Sequence, residues 1–129
     1  MNTPKDITDG ERREQGMRVR REVLTNEHVD AANQRITPLT ADFQDFITRT
    51  AWGEIWSRPG LDKRSRSIAT LTALIALQHW DELRMHIHAA LRNGLTEQEL
   101  AEVILHAAVY CGVPSANHAF GIAQEVLAE

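Results

Sequence analysis

The sequence predicts an all-α fold, in which residues 1–129 form a single-domain bundle of about six helices. Apolar residues recur at helical spacing in several long segments, and only four prolines and seven glycines interrupt the chain. No segment sustains the two-residue alternation that is typical of a half-buried strand. The apolar share of 43% and the charged share of 25% are ordinary for a globular protein. We therefore expect one hydrophobic core and no second domain.

The first half of the chain predicts three helices. Residues 8–24 are highly charged with a sparse apolar side, which favours a helix lying across another element or a partner subunit. Residues 26–35 suit a short second helix, and Pro38 then interrupts the chain. A third helix is expected over 39–56, because apolar residues repeat there at helical spacing. These residues are Leu39, Phe43, Phe46, Ile47, Ile55 and Trp56.

The second half carries clear start and stop signals. Asp62 is a plausible N-cap for a helix that includes the apolar run 68–77. Because this helix is apolar on most sides, we expect it to be central and buried. It continues or restarts through 80–91, and Asn93-Gly94 is a typical helix end.

The last two helices are marked by their boundaries. Thr96-Glu97-Gln98-Glu99 is a capping box, which predicts a helix start. Gly112 ends that helix, and Pro114 fits the first turn of a final helix over about 114–127.

Composition excludes several classes of function. The net charge of −4 offers no basic excess for binding nucleic acid, although local basic clusters allow an anionic small molecule. The longest apolar run is too short to span a membrane, and the first residues contain no apolar signal core. We therefore expect a cytoplasmic protein. The single cysteine, Cys111, excludes an intrachain disulfide and a CxxC redox pair.

A group of polar residues follows the most apolar helix. Glu82 and His86 are four residues apart, so a helix places them on one face, and His79 lies two turns before His86. A carboxylate can fix the tautomer of an imidazole, which can then deliver a proton near neutral pH. Spacing alone favours an exposed surface pair. The apolar neighbours raise burial and a role in proton transfer to an equal alternative.

Two other interpretations of these residues are weaker. His79, Glu82 and His86 could supply three zinc ligands, but their spacing differs from the HExxH arrangement, so we expect no metal. Cys111 could act as a nucleophile. Because buried free cysteines are commonly inert and no resolving partner exists, a structural role is favoured.

Four stretches of the chain resemble the gamma-carboxymuconolactone decarboxylases of the bacterial β-ketoadipate route for aromatic acids. The tryptophan-rich stretch is the most specific of them. The stretches are 16–21 (GMRVRR), 46–61 (FITRTAWGEIWSRPGL), 82–86 (ELRMH) and 109–117 (VYCGVPSAN).

The wider superfamily includes the alkylhydroperoxidase D proteins, which are all-helical, oligomeric and carry a CxxCxxxH redox motif. When the chain is aligned on His86, the two cysteine positions hold His79 and Glu82. Ser67 stands where those peroxidases have a proton-relay glutamate. The resemblance therefore implies an alkylhydroperoxidase D-like fold in which proton transfer has replaced thiol chemistry.

The activity implied by the resemblance is decarboxylation of 4-carboxymuconolactone, a lactone dicarboxylate, to β-ketoadipate enol-lactone and CO₂ in protocatechuate catabolism. No cofactor is implied, because the lactone carbonyl itself can accept the electrons. The implied assembly is a homo-oligomer, a ring-like hexamer. The alternatives are a non-catalytic helical oligomer and a peroxidase that uses Cys111 alone.

The resemblance also assigns roles within the site. His86 is the expected general acid, and Glu82 is expected to orient or recharge it. Arginines suit the substrate carboxylates through bidentate contacts, and His79 is a further candidate for substrate binding. The arginine candidates flank the family stretch and enter the central helix: Arg49, Arg58 and Arg66.

Overall fold

The computed structural model describes residues 7–129 as a succession of helices, which confirms the all-α prediction. Residues 1–6, where the sequence predicts no signal core, lie outside the described residues. The described residues up to Leu61 form one compact unit, and Asp62–Glu129 form a second. Within the described part, no helix has the length and apolar character needed to cross a bilayer.

Seven α-helices and one π-helix are present in residues 7–129, rather than about six helices. The N-terminal unit contains α1 (Asp9–Leu24), α2 (Asn26–Gln34), α3 (Ala41–Ile47) and a π-helix (Thr48–Trp56). The C-terminal unit contains α4 (Lys63–Leu77), α5 (Trp80–Arg92), α6 (Glu97–Cys111) and α7 (Val113–Leu127). The larger number arises because the predicted helix over 39–56 is divided and the helix after Asp62 restarts at Trp80.

Side-chain caps fix the helix starts in the C-terminal unit, as the sequence predicts. The Asp62 side chain accepts a hydrogen bond from the backbone N–H of Ser65 at 2.6 Å and begins α4. Thr96 accepts from the N–H of Glu99 at 3.1 Å, while Glu99 accepts from the N–H of Thr96 at 3.0 Å. Pro114 lies in the first turn of α7. Its missing N–H costs nothing there, because backbone N–H groups in the first turn have no acceptor within the helix.

A left-handed residue separates α4 from α5. Gln78 has φ 60° and ψ 38°, and the N–H of His79 donates to the carbonyl of Leu74 at 2.9 Å. This closure ends α4 in the manner of an αL cap. The chain then restarts as α5 at Trp80, which settles whether the helix continues or begins anew.

The N-terminal unit is built on the contact between α1 and the π-helix. Helix α1 buries Gly16, Val19, Arg20, Val23 and Leu24, so it lies across another element as the sequence predicts. On the π-helix, Trp52 is buried and its ring stacks on Trp56 with 5.4 Å between the ring centroids.

The apolar repeat over 39–56 does not form the expected buried face. Four of its members are exposed in the single chain, whereas Thr48, Trp52 and Gly53 are buried. The expectation of one continuous α-helix is also wrong, because the segment changes from α-helix to π-helix at Thr48. The exposed residues are Leu39, Phe43, Phe46 and Ile55.

The C-terminal unit holds one apolar core to which all four of its helices contribute. Helix α4 is central, as predicted, because it contacts α5, α6 and α7. The predicted burial holds only in part, since α4 fully buries just the stripe Ser67, Leu71 and Ile75. Leu77 is 65% exposed. Helix α4 packs against its neighbours along a single face, since a small unit covers little surface. Helix α7 buries more residues and supplies much of the core.

Candidate active site

Of the three polar residues that the sequence singles out, Glu82 and His86 lie on α5, and His79 immediately precedes it. Burial distinguishes them further. His86 is only 8% exposed and lies beside the buried Ile87 and one turn after the buried Leu83. Glu82 and His79 are exposed. The apolar environment expected for His86 is therefore present. Glu82 lies one turn earlier towards solvent, where it can exchange protons with water.

The position of His79 argues against the three-ligand interpretation. It is the N-cap residue of α5, with φ −88° and ψ 81°, and its side chain makes no capping hydrogen bond. Across residues 7–129, no three His, Cys, Asp or Glu side chains are grouped so that they could hold a metal ion. His79 therefore precedes the helix that carries Glu82 and His86, and these three side chains do not form a ligand cluster.

Ser67 lies in the C-terminal unit at the position aligned with the peroxidase glutamate. It is fully buried on α4, and its hydroxyl accepts a hydrogen bond from Asn93 Nδ2 at 3.0 Å. Asn93 is the C-cap residue of α5, so this bond joins α4 to the end of the helix that carries His86. Ser67 therefore has a positioning role for α5.

The beginning of α5 is fixed by contacts with α7. The rings of Trp80 and His118 are stacked with 4.2 Å between their centroids. Gln78 Nε2 donates to Ser115 Oγ at 3.2 Å just before the helix starts. Both ends of α5 are thus joined to other helices of the C-terminal unit.

The three candidate arginines differ in environment. Arg49 Nε donates to Asp45 Oδ2 at 2.8 Å, so Arg49 already has a carboxylate partner. Arg58 is exposed at the end of the N-terminal unit, and Arg66 is half-buried in the second turn of α4. Arg66 is therefore the only one of the three in the same unit as His86.

Asp45 is shared between two arginines of the N-terminal unit. Arg13 and Arg49 both hydrogen-bond to its carboxylate. The pKa of Asp45 is lowered from 3.8 to about 2, first by the hydrogen bond from Arg13 and next by that from Arg49. Asp45 is consequently an anion throughout the physiological range.

Cys111 is half-buried at the C-terminal end of α6 and packs against the core. This environment is that of a small apolar residue, as the sequence favours.

Sequence reasoning did not single out Arg20. Its side chain is buried on α1, in line with Gly16 and Val23. The spacing of Arg20 from Gly16 and Val23 places the three residues on one helix face and could have indicated its burial. The neighbouring arginines instead made Arg20 look like one member of a local basic cluster.

The described residues thus form an all-helical protein with a buried histidine on α5. Residues 41–125 match the model of the carboxymuconolactone decarboxylase family. This protein belongs to that family, which confirms the resemblance seen in the sequence.

Three proteins are similar to this chain in sequence over most of its length. The 4-carboxymuconolactone decarboxylase of Acinetobacter baylyi is 48% identical over 93% of this chain and 90% of its own length. The nitrosuccinic acid decarboxylase of Metarhizium robertsii is 45% identical over 88% of this chain and 80% of its own. An uncharacterized 15.0 kDa protein of Paracoccus denitrificans is 34% identical over 80% of this chain and 77% of its own length.

Proposed function

We propose that this protein is a carbon–carbon lyase that decarboxylates 4-carboxymuconolactone, releasing CO₂ and β-ketoadipate enol-lactone. The observation that carries the proposal is the 48% identity to the Acinetobacter baylyi enzyme across nearly the whole of both chains. The buried His86 on α5 gives the chemistry a proton donor.

The chemistry of the substrate explains why no cofactor is needed. When CO₂ leaves the ring carbon, the electron pair of the broken bond delocalises through the ring alkene into the lactone carbonyl. In nitrosuccinic acid, named for the second relative, the nitro group can accept the corresponding pair. Both molecules therefore contain their own electron sink and keep a second carboxylate after the loss of CO₂. The protein has to bind that carboxylate, stabilise the developing negative charge and return a proton to carbon.

His86 is assigned as the general acid. Its burial holds the imidazole away from bulk water, so that its proton is delivered to the carbanion rather than exchanged. Glu82 lies one turn away towards solvent, from which it can return a proton to the imidazole. After one turnover, the carbon has gained a proton from His86, and His86 has recovered one from water.

The substrate carboxylates are assigned to arginines and to the start of α5. Arg66 is favoured because it is half-buried within the unit that holds His86. Arg49, which binds Asp45, and Arg58 both lie in the N-terminal unit and are candidates from the sequence alone. His79, at the N-terminus of α5, is in a place where a helix favours an anion.

The proposed enzyme is a homo-oligomer, with a hexamer as the expected size. Helix α6 presents apolar side chains that the single chain leaves uncovered, and Leu105 and Val109, one turn apart, are 57% and 78% exposed. Tyr110 and Val113 extend this surface. A patch of this kind favours burial against another copy. Native mass spectrometry of the wild type and of Val109→Lys tests this, and a wild-type monomer would contradict it.

The activity is tested by adding 4-carboxymuconolactone to the purified protein and recording CO₂ release. Nitrosuccinic acid serves as the competing substrate. We expect the lactone to give the higher kcat/KM and His86→Gln to lose most of the activity. His106→Gln is the matched control, since His106 is exposed on α6. Turnover of nitrosuccinic acid alone would refute the assigned substrate, and failure with both would refute the lyase.

The alternative chemistries are separated in the same assay. Cys111→Ser and treatment with a chelator should leave CO₂ release unchanged. Loss of activity in Cys111→Ser, with the fold retained, would favour a thiol mechanism, whereas loss on chelation would favour a metal.

A further inference from the structure

We infer that the N-terminal unit contains a binding site for a small organic carboxylate, in which the buried guanidinium of Arg20 receives the anion. The inference does not depend on the proposed decarboxylation, because it rests on different residues.

Arg20 is a buried cation with little compensation. Its side chain is only 6% exposed, and its hydrogen bond to another side chain goes to the neutral Gln44, from Nη1 to Oε1 at 3.3 Å. Nε of Arg20 is also buried and has no hydrogen-bond partner among the described residues. Burial lowers the pKa of Arg20, and no carboxylate opposes that effect. Because a buried charge is costly unless it is paired, a carboxylate is the group that this environment lacks.

The N-terminal unit also contains a cavity of about 260 Å³, which Gln44 lines and Arg20 does not. Gln44 both lines the cavity and accepts the hydrogen bond from Arg20, so one flexible side chain connects the guanidinium to the space. Met17, Ile36 and Ala41 supply apolar walls. The volume is below the roughly 300–1,000 Å³ of sites for drug-sized ligands, and it therefore suits a molecule with about one ring.

The charged side chains that line the cavity are Arg13 and Asp45, which pair with each other and leave no net charge. Arg49 also binds Asp45. The positive charge offered to an anion is therefore that of Arg20, which binds the lining residue Gln44. We assign the ligand a carboxylate that replaces the Gln44 carbonyl on Arg20 through a bidentate contact. Its apolar body would lie against Met17 and Ile36.

The probe is benzoate, which has one carboxylate on an apolar ring, and benzamide is its uncharged counterpart. Titration calorimetry on the full-length protein should show saturable binding of benzoate and none of benzamide. Arg20→Met should weaken the affinity for benzoate by at least about tenfold. Arg18→Met, at an exposed position of the same helix, should leave it unchanged. His86→Gln should also retain it, since the two sites are independent.

A second measurement guards against a misfolded variant. Because Arg20→Met removes a buried charge without a counterion, we expect it to fold and to unfold at a higher temperature than the wild type. Arg20→Lys, which keeps the charge but lacks the fork geometry, should bind benzoate more weakly than the wild type. Equal binding of benzoate by the wild type and both Arg20 variants would overturn the inference. The inference is also overturned if the wild type does not bind benzoate and Arg20→Met changes the oligomeric mass. In that case an acidic side chain of a second copy would be the group that pairs with Arg20.

Discussion

Gly16 on α1 and Gly53 on the π-helix meet at the level of their backbones. A Cβ atom added to Gly16 would lie 2.8 Å from the backbone nitrogen of Gly53 and would overlap the carbonyl oxygen of Thr48. A Cβ atom added to Gly53 would overlap the carbonyl oxygen of Arg12. Gln15 Nε2 also donates to the carbonyl of Gly53 at 3.1 Å. The two helices approach this closely because neither position carries a side chain.

Replacing Gly16 with alanine should destabilise the protein. The added methyl group meets backbone atoms that cannot move aside, so we expect a loss of about 1–3 kcal/mol in the free energy of unfolding. Gly121→Ala on α7 is the control, because no atom lies within 4 Å of the new Cβ atom. That change should stabilise by up to about 1 kcal/mol through helix propensity. Urea denaturation measures both changes. An equal change in the free energy of unfolding for the two variants would contradict the close backbone contact between Gly16 and the π-helix.

The ion pairs of Asp45 should give a pH-dependent contribution to stability. The pKa of Asp45 in the folded protein is lowered to about 2 from 3.8, so its contribution is complete above the unfolded value. It is lost as the pH falls from 3.8 through about 2. In Arg13→Gln the pKa should rise towards 3.8, because the largest cause of the shift is removed. A carboxyl NMR titration measures this, with Arg18→Gln as the control. An unchanged pKa in Arg13→Gln would be inconsistent with the pairing.

Glu82 and His86 should differ in their kinetic effects. His86→Gln removes the proton donor and should lower kcat by roughly 10²–10⁴-fold. Glu82→Gln should lower kcat less, because it removes only the group that returns a proton to the imidazole. Asp81→Asn, which changes a neighbouring exposed carboxylate, is the control and should keep the wild-type kcat. Steady-state kinetics of the three variants measure this, and an unchanged kcat in Glu82→Gln would remove Glu82 from the mechanism.

The capping box of α6 should contribute measurably to stability. Thr96→Ala removes the acceptor for the N–H of Glu99 and should cost about 1 kcal/mol. Thr96→Ser keeps the hydroxyl and should cost much less. Urea denaturation of the two variants checks this, and equal losses would show that the hydroxyl has no capping role. Arg64 of α4 also pairs with Glu99, so the same residue links two helices.

The helix ends in the C-terminal unit could be predicted because caps are local. Asp62 and Thr96 each bond to a backbone N–H three residues ahead, and the sequence contains both partners. The burial of His86 was also predictable, since its apolar neighbours repeat at helical spacing. These features depend on few residues that are close together in the chain.

The π-helix and the burial of Arg20 depend on tertiary contacts and could not be predicted in this way. Apolar spacing over 39–56 predicts a helix, but it contains no information about the backbone contact between Gly16 and Gly53, nor does it show that Phe43 and Phe46 are exposed. Similarly, Arg20 is one of several adjacent arginines, and only the packing of α1 on its neighbours shows which of them is buried. The roles of Arg49, Arg58 and Arg66 remain predictions for the same reason.

The stacked pair Trp52–Trp56 gives the N-terminal unit an optical signature of its own. Two indoles with centroids 5.4 Å apart couple electronically, so their near-ultraviolet circular dichroism should disappear when that unit unfolds. The remaining tryptophan of the chain, Trp80, begins α5 in the C-terminal unit. Trp80 lies outside the stacked pair, so the loss of the coupled signal reports on the N-terminal unit. Comparing it with the loss of helical far-ultraviolet circular dichroism, to which both units contribute, shows in the unlabelled protein whether the two units unfold together.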